Sequence, residues 1–432
     1  MPSRPPHSSP AGSSTSVRAL EPQDNTRTRL IAAAAALVAE GGIAAASARA
    51  IAALAGASAS AINYNFGNIE RLLLTVFEQG VDDTRTWLKT VAPQIAPLPH
   101  TPDGGAWALR HMLAAWTSDG RRLALTYQEA ITAGAAPAAA WTRLWRDFWI
   151  DTTQAFGLTA MDGRVLHAFF EHEALYNLSA WSPALESAAL ADMVDHLANV
   201  WLKAPHRPSR DAIVLAERTA GTRPYGSVPP AAMRIAKAAA EVVEDKGLAG
   251  LTHRAVATRA GVTTGSVTHH FRSIEDLVAG AIRGQVQAMT EEAIERSNGP
   301  PPIDDLLTAD ILIAALRQHV TADTPSPAVI RRRRLFLAAV RREELALAGA
   351  VIRFSYGGTL RDSLGRIYGF SGGALVLQAG VLARLMASIW FACAGDEDPA
   401  AARLALFTGI EARFSAQAGA ACNLGHTDVS DG

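Results

Sequence analysis

Apolar and small residues recur with a helical period along much of the chain, and two segments carry the same pattern. In the first segment, one face of the predicted helix is formed by residues at i, i+3, i+4 and i+7, namely Leu30, Ala33, Ala34 and Leu37. Gly41 and Gly42 follow, and glycine ends a helix readily because it adopts positive φ at low cost. The pattern therefore predicts an amphipathic helix that ends at about residue 40.

The second segment repeats the first 205 residues later in the chain. Residues 29–72 and 234–277 align without a gap and share 16 of 44 residues. The shared positions include turn, close-packing and core residues: Gly42/Gly247, Arg49/Arg254, Ala52/Ala257, Ala55/Ala260, Gly56/Gly261, Phe66/Phe271, Glu70/Glu275 and Leu72/Leu277. A repeat concentrated at such positions indicates a duplicated structural unit.

Each copy is predicted to form a helix, a turn, a second helix, a tight turn and a third helix. The middle helix is predicted at residues 48–55 and 253–260, where Ser47 and Thr252 can accept hydrogen bonds from free backbone N–H groups. The helix that follows is only six to seven residues long, and its predicted caps are Ser58 and Thr263. Two short helices around a glycine turn form a helix-turn-helix unit, whose second helix fits the major groove of DNA.

The two segments resemble the N-terminal domain of TetR-type transcriptional regulators. The resemblance lies in AIAALAGASASAINYNFGNIERL and AVATRAGVTTGSVTHHFRSIEDL, each about eight residues after a helix that ends in glycine. It implies an all-α fold in which each DNA-binding domain is followed by a larger helical domain that binds a small molecule and dimerises. The chain is long enough for two such units, since roughly 130 to 150 residues follow each hairpin.

The ends of the two halves also match each other. RVLHAFFEHEALYNLSAW, Ser182-Pro183 and ALESAALADMVDHLANVWL in the first half correspond to GALVLQAGVLARLMASIWFACAG, a short acidic turn, Pro399 and AARLALFTGIEARF in the second. Both predict two long helices with a proline-started second helix. In the family that the chain resembles, such pairs from two subunits form a four-helix bundle. We therefore expect an internal pseudo-dimer, with a homodimer of two chains as the alternative.

These patterns divide the chain into seven segments. We predict a disordered tail at 1–25, a first helix-turn-helix domain at 26–80 and a first regulatory domain at 81–202. A proline-rich linker is predicted at 203–229, a second helix-turn-helix domain at 230–285, a second regulatory domain at 286–418 and a terminal tail at 419–432. Each half has enough residues to bury its own core.

Composition narrows the class of protein further. The net charge of −1 argues against a protein that coats nucleic acid, but it permits a local basic face on a sequence reader. The two cysteines, Cys393 and Cys422, suit a reducing cytoplasm and provide no metal site. The longest apolar run, residues 373–394, is interrupted by Gln378 and Arg384, so we interpret it as an interface helix rather than a membrane span. We predict a cytoplasmic protein with no membrane partner.

The resemblance implies which side chains face double-stranded DNA. In the first half these are Ser47, Arg49, Ser58, Ser60, Asn63, Tyr64 and Asn65. In the second half they are Thr252, Arg254, Thr263, Thr264, Ser266, Thr268, His269 and His270. Asn63 is suited to an adenine edge and threonine methyl groups to thymine, while Tyr64, Asn65, His269 and His270 are suited to phosphates. Arg49 and Arg254 are candidates for phosphate or groove contacts.

Two departures from the family pattern affect this expectation. The family usually has tyrosine where this chain has Asn63 and Thr268, and usually has a phosphate-binding lysine where it has Ile69 and Ile274. The missing lysines reduce the expected DNA affinity. Because the two contact sets share almost no side chain, the halves are expected to read different sequences and the operator to be asymmetric.

A candidate effector site lies in the first half, which holds eight of the nine tryptophans. Trp141, Trp145 and Trp149 lie four residues apart and form one helical stripe. As an apolar pocket wall, the stripe would be completed by polar groups, giving candidate ligand-binding residues Trp141, Trp145, His167, Glu171 and Tyr176. The alternative is ordinary core, and the spacing of His167, Glu171 and His172 is a weak metal signal, so no metal or cofactor is predicted.

We find no motif for a catalytic function. The sequence lacks a glycine-rich phosphate loop and an HExxH motif. The sequence thus predicts a non-enzymatic transcriptional regulator, a repressor that an unknown small molecule releases from its operator. The alternative is a ligand-sensing or partner-binding protein whose helix-turn-helix units no longer bind DNA.

Overall fold

The computed structural model describes the backbone of residues 22–222, 229–246, 250–274, 276–282, 284 and 308–425. All regular elements in those ranges are helices. The predicted all-α class is therefore confirmed for this part of the chain. Of the predicted tails, residues 1–21 and 426–432 lie outside the described ranges, as does Glu275 of the repeat.

The first half contains nine α-helices. They are α1 (Pro22–Gly41), α2 (Ala48–Ala55), α3 (Ala59–Phe66), α4 (Ile69–Ile95), α5 (Pro102–Thr117), α6 (Arg121–Thr132), α7 (Ala136–Ala155), α8 (Ala160–Tyr176) and α9 (Pro183–Leu202). A 3-10 turn at Ile43–Ala45 connects α1 to α2. The first predicted helix-turn-helix domain thus corresponds to α1 to α3 with the start of α4, and the first predicted regulatory domain contains α5 to α9.

Further α-helices continue the described chain. They are α10 (Ala212–Thr222), α11 (Pro230–Lys246), α12 (His253–Ala260), α13 (Thr264–His270), α14 (Ala309–Thr321), α15 (Pro327–Ala339), α16 (Ala346–Phe354), α17 (Gly358–Tyr368), α18 (Gly372–Ala392) and α19 (Pro399–Gly425). Residues 276–282 are also helical. The middle helices α2 and α12 have the predicted bounds, because the caps and closing glycines that fix them are local signals.

The segment predicted as a linker, 203–229, contains a helix. Helix α10 lies inside it and packs on α9 and α16, with Ala212, Ile213 and Ala216 buried. Asp192 on α9 accepts from the backbone N–H of Ala212 at 2.9 Å and so caps the helix from outside. The prolines on either side favoured a linker in the sequence, so the short apolar face of this helix was not predicted.

Helix bounds also shorten both predicted tails. Helix α1 begins at Pro22, because proline is well suited to the first turn of a helix. Helix α19 continues to Gly425, past the predicted boundary at 418. Both terminal helices therefore extend into segments that were predicted as tails.

The terminal helices of both halves pack together within the one chain. Helix α8 lies along α18, α9 contacts both α18 and α19, and α19 also packs on α8. Leu166, Phe169 and Phe170 from α8 and Leu385 and Ile389 from α18 are completely buried. The expected four-helix arrangement thus forms inside a single polypeptide.

Helix α18 is long and apolar enough to cross a membrane by length and composition. However, 78% of its most apolar window is buried inside the protein. Gln378 and Arg384 are completely buried there as well, and Arg384 is paired with a carboxylate. These contacts are those of a core helix at the joint between the two halves.

Candidate nucleic-acid interface

The first recognition helix is α3, and one side of it is anchored in the core. Ile62 and Phe66 are buried, while Asn63 and Tyr64 are exposed, Tyr64 to 74%. Arg27 lies over the Phe66 ring at 4.9 Å, which ties α1 to the end of α3. The exposed face therefore presents polar side chains on a fixed backbone.

Several predicted contact residues of the first half already make local hydrogen bonds. Ser47 accepts from the N–H of Ala50 at 3.3 Å and so acts as the cap of α2. Ser58 shares a hydrogen bond of 2.8 Å with Ser60, rather than capping α3 through its side chain. Asn65 is half-buried and donates to the carbonyl of Ala61 at 2.7 Å. These local hydrogen bonds limit how far the side chains can bond to DNA, whereas Asn63 and Tyr64 keep their polar groups available for DNA.

The second recognition helix, α13, presents a different set of groups. Thr263 caps the helix by accepting from Ser266 N–H at 3.1 Å, and Thr268 donates to the carbonyl of Thr264 at 3.0 Å. Thr263, Thr264, Thr268 and His269 are exposed, and Ser266 and His270 are half-buried. The face thus consists of hydroxyl, methyl and imidazole groups.

A histidine that the sequence did not single out positions the end of α13. The ring Nε2 of His253 lies 2.8 Å from the carbonyl oxygen of Phe271. Phe271 itself is buried and follows the last residue of the recognition helix. The first half has Ala48 at the position of His253, so the aligned repeat gave no signal for this contact.

The cationic groups near the two helices differ in availability. Arg49 and Arg254 are exposed and pair with no side chain in the described part of the chain. Arg259 is bound by Glu241 and Asp245 on α11. Ile69 and Ile274 stand where the family has lysine, and Ile274 is 37% exposed. Among the predicted contact residues, Arg49 and Arg254 are therefore the cations available to phosphate.

The candidate effector residues of the first half lie deep in the regulatory core. Trp141, Trp145, His167, Glu171 and Tyr176 are each at most 1% exposed. The Trp141 indole donates to Thr84 at 3.0 Å, and the Trp145 ring packs 4.4 Å from that of Phe170. The stripe is therefore surrounded by packed side chains.

The polar members of that set occupy an unusual electrostatic environment. Tyr127 donates to Glu171 at 2.5 Å, and burial raises the pKa of Glu171 against the attraction of Arg333. Burial, assisted by Arg164 and Arg146, lowers the pKa of His167 to about 3. In the described ranges no three His, Cys, Asp or Glu side chains are grouped to hold a metal ion.

An open cavity of about 440 Å³ lies beside this core, between α5 and α9. Its apolar lining includes Trp107, Pro183 and Leu190, and its polar lining includes Arg110, Asn177 and Glu186. Arg110 pairs with no side chain in the residues described. The volume falls within the range of small-molecule sites, and no sequence pattern had joined these residues.

Comparison with known protein families matches the two hairpins. The sequence model for the family described as "Bacterial regulatory proteins, tetR family" matches residues 30–76 and 235–281. The chain therefore carries two tandem TetR-like units, as their glycine turns and capped helices indicated. No curated protein matches the sequence.

Proposed function

We propose that this chain, in which two DNA-binding domains of the TetR type occur in tandem, is a sequence-specific transcriptional regulator that acts as a single-chain pseudo-dimer. The observation that supports this most directly is the pairing of two exposed recognition helices with one internally packed bundle. In the family, that combination requires two chains. The proposed protein is non-catalytic and works in the cytoplasm, where its operator is accessible.

The operator is proposed to be asymmetric. Helix α3 presents Asn63 and Tyr64, whereas α13 presents Thr264, Thr268 and His269. An asparagine amide and a threonine methyl group read different base edges in the major groove. Each half of the protein would therefore specify its own half-site.

We propose that an effector releases the protein from DNA, so that it acts as a repressor. The cavity beside Trp107 supports this more directly than the packed stripe of Trp141 and Trp145, because it already has room for a ligand. Asn177 and Glu186 line the cavity and also bind Arg353 of the second half, at 3.2 and 3.5 Å. A ligand that displaced Asn177 or Glu186 would disturb the contact between the halves. The expected ligand is amphipathic, with an apolar body against Trp107 and an anionic group on Arg110.

A second candidate function is supported by the isoleucines at the start of the fourth helices. Ile69 and Ile274 replace the lysines that touch phosphate in the family, and Ile274 exposes apolar surface. In this alternative the hairpins bind another protein rather than DNA, and the cavity serves as a sensor.

A footprint on the DNA upstream of the coding sequence separates these functions. The wild type would be compared with Tyr64→Ala combined with His269→Ala, and with Arg85→Ala as a control outside the recognition helices. The regulator proposal expects a protected site that only the double variant loses, with one chain per complex by light scattering. Absence of protection at low salt would refute it and favour the partner-binding alternative.

Reciprocal binding tests the effector part of the proposal. If a ligand weakens DNA binding, DNA must weaken binding of that ligand by the same factor. Leu190→Trp, which fills the cavity, is expected to abolish the ligand response while the footprint persists. Unchanged ligand affinity in the presence of operator DNA would rule out release by this route.

A further inference from the structure

Buried ion pairs join the two halves with a consistent polarity. Three glutamates of the first half meet three arginines of the second at the centre of the joint: Glu171 with Arg333 at 2.9 Å, Glu173 with Arg353 at 3.0 Å and Arg384 at 2.7 Å, and Glu186 with Arg353 at 3.5 Å. All six side chains are at most 4% exposed. The acids come from α8 and α9, and the arginines come from α15, α16 and α18.

The same polarity continues toward the rim. Glu129 pairs with Arg341 at 2.8 Å, Asp162 with Arg413 at 2.5 Å and Glu217 with Arg361 at 2.8 Å. Glu217 belongs to α10, the connecting helix, and the other two acids lie on α6 and α8. In the described residues, one second-half acid reverses the direction: Asp396, which accepts from Arg146 and Arg164.

Neighbouring rings of the second half hold several guanidinium groups in place. Arg333 lies 3.9 Å from the centre of the Phe391 ring, and Arg384 lies 5.9 Å from that of Tyr356. These contacts orient the cations from within the second half. On the opposite side, Tyr127 donates to Glu171 and so orients the carboxylate.

The second half does not carry a matching set of acids. With Pro183 aligned on Pro399, positions 171, 173 and 186 correspond to Ala387, Ile389 and Ala402. Two first halves placed face to face would therefore bury carboxylates against carboxylates. Two second halves would bury guanidinium groups against each other, and a buried charge without a partner is strongly destabilising.

We propose that charge complementarity determines which halves pair at this joint, so that the surface of each half binds only the complementary half. This charge complementarity excludes pairing between two first halves or between two second halves, whether they come from two copies of this chain or from its separated parts. It also excludes a symmetric regulator whose dimerisation face repeats the charges of either half. The inference concerns the joint alone and holds whether or not the hairpins bind DNA.

The test uses the folded chain with a protease site inserted between Thr222 and Pro229. Unlabelled and ¹⁵N-labelled proteins are cut, mixed, unfolded in urea, refolded by dilution and examined by native mass spectrometry. The proposal expects particles of two fragments, each made of one first half and one second half. Labelled and unlabelled halves should combine in every possible way. Pairs of one first half with one second half should outnumber like pairs by at least roughly 100-fold, whereas random pairing makes the two kinds equal, since like pairs leave buried charges unmatched.

Like pairs in the random proportion would overturn the proposal, and so would fragments that separate and remain folded. If the fragments aggregate, the uncut chain decides between charge matching and packing alone. Glu171→Gln is compared with the same substitution combined with Arg333→Met. If charge complementarity holds the halves together, the double variant should unfold at a higher urea concentration than the single variant, because it no longer buries an unmatched Arg333. If the two losses simply add, the contact is only one of packing and the proposal fails.

Discussion

Arg341 of the second half donates its Nε–H to the carbonyl of Ala39, 2.9 Å away, in the last turn of helix α1 in the first half. A second nitrogen donates to Val38 at 3.3 Å, and a third pairs with Glu129 at 2.8 Å. Glu129 in turn accepts from the N–H of Ile43 at 3.4 Å. The first DNA-binding domain is therefore attached to the regulatory helices of both halves.

The first prediction concerns this attachment. Arg341→Ala removes a cation from the free carbonyl groups that end α1, where positive charge is favourable. We expect a local loss of about 2 kcal/mol, and hence roughly 30-fold faster amide exchange at residues 38–45. The matched variant is Arg331→Ala, which releases Glu244 at the end of α11 instead. Equal exchange at residues 38–45 in wild type and Arg341→Ala would contradict the attachment.

The second prediction concerns the close contact between helices α4 and α7. A Cβ atom on Gly80 would lie 2.3 Å from the Trp141 ring, so Gly80→Ala forces the tryptophan to move. Overpacking of this kind is expected to cost about 1–3 kcal/mol, measured as a lower urea midpoint. Gly358→Ala serves as the control, since a Cβ there meets nothing within 4 Å. A stability of Gly80→Ala equal to that of the control would show that the ring contact is loose.

The third prediction concerns the connecting helix. Asp192 is buried and accepts from the N–H groups of both Arg210 and Ala212, at 3.2 and 2.9 Å. Asp192→Ala leaves these donors unmatched and should cost about 1–2 kcal/mol. Limited proteolysis should then cut within residues 209–220 several times faster, and Asp195→Ala should have a smaller effect. Unchanged cleavage would mean that packing alone holds α10.

The fourth prediction is a loss of stability in mild acid. Burial lowers the pKa of both His167 and His172 to about 3, while the unfolded chain takes up these protons near pH 6.5. The folded state thus binds fewer protons below pH 6.5, and the free energy of unfolding falls as the pH decreases. The expected slope is up to about 1.4 kcal/mol per pH unit for each histidine, between pH 6.5 and 3.

Two carboxyl groups modify that slope, Glu173 below pH 4.5 and Glu171 above it. Arg353 and Arg384 hold the pKa of Glu173 well below its usual range, so its contribution is lost only below pH 4.5. The raised pKa of Glu171 acts in the opposite direction. His167→Phe removes one titrating group, and urea unfolding between pH 5 and 7 should show a slope reduced by about one proton. An identical slope in this variant would contradict the lowered pKa of His167.

The hairpins were predictable because their determinants are local. Ser47 and Thr252 cap the middle helices, and Gly56 and Gly261 end them, so their bounds were predicted correctly. Positive φ at the two glycines, 59° and 65°, is a requirement that one residue type satisfies with little strain.

The joint between the halves was not predictable from local patterns. Glu173 meets Arg353 and Arg384, which lie 180 and 211 residues away on two different helices. Arg333 stands in a run of four arginines, residues 331–334, yet it is buried against Glu171 and Gln128. Helical periodicity cannot identify such pairs, because the partner charge lies in the other half of the chain.

The cavity likewise depends on distant helices. Trp107 and Arg110 on α5 meet Leu190 on α9 only after the regulatory layer has folded. The sequence instead emphasised Trp141 and Trp145, since clustered aromatic residues on one helical face favour either a pocket wall or a core. The structure surrounds that stripe with packed side chains, and the assignment of an effector site remains a proposal.

Because the two halves of the bundle belong to one polypeptide, their association is a first-order event. A regulator made of two chains loses its paired form on dilution, whereas here the partner is supplied at an effective concentration set by the connecting segment, typically of millimolar order for short flexible linkers. The DNA-reading unit is thus expected to stay assembled at any cellular copy number. A change in one recognition helix also appears once per assembled unit rather than twice, so the two readers can evolve independently.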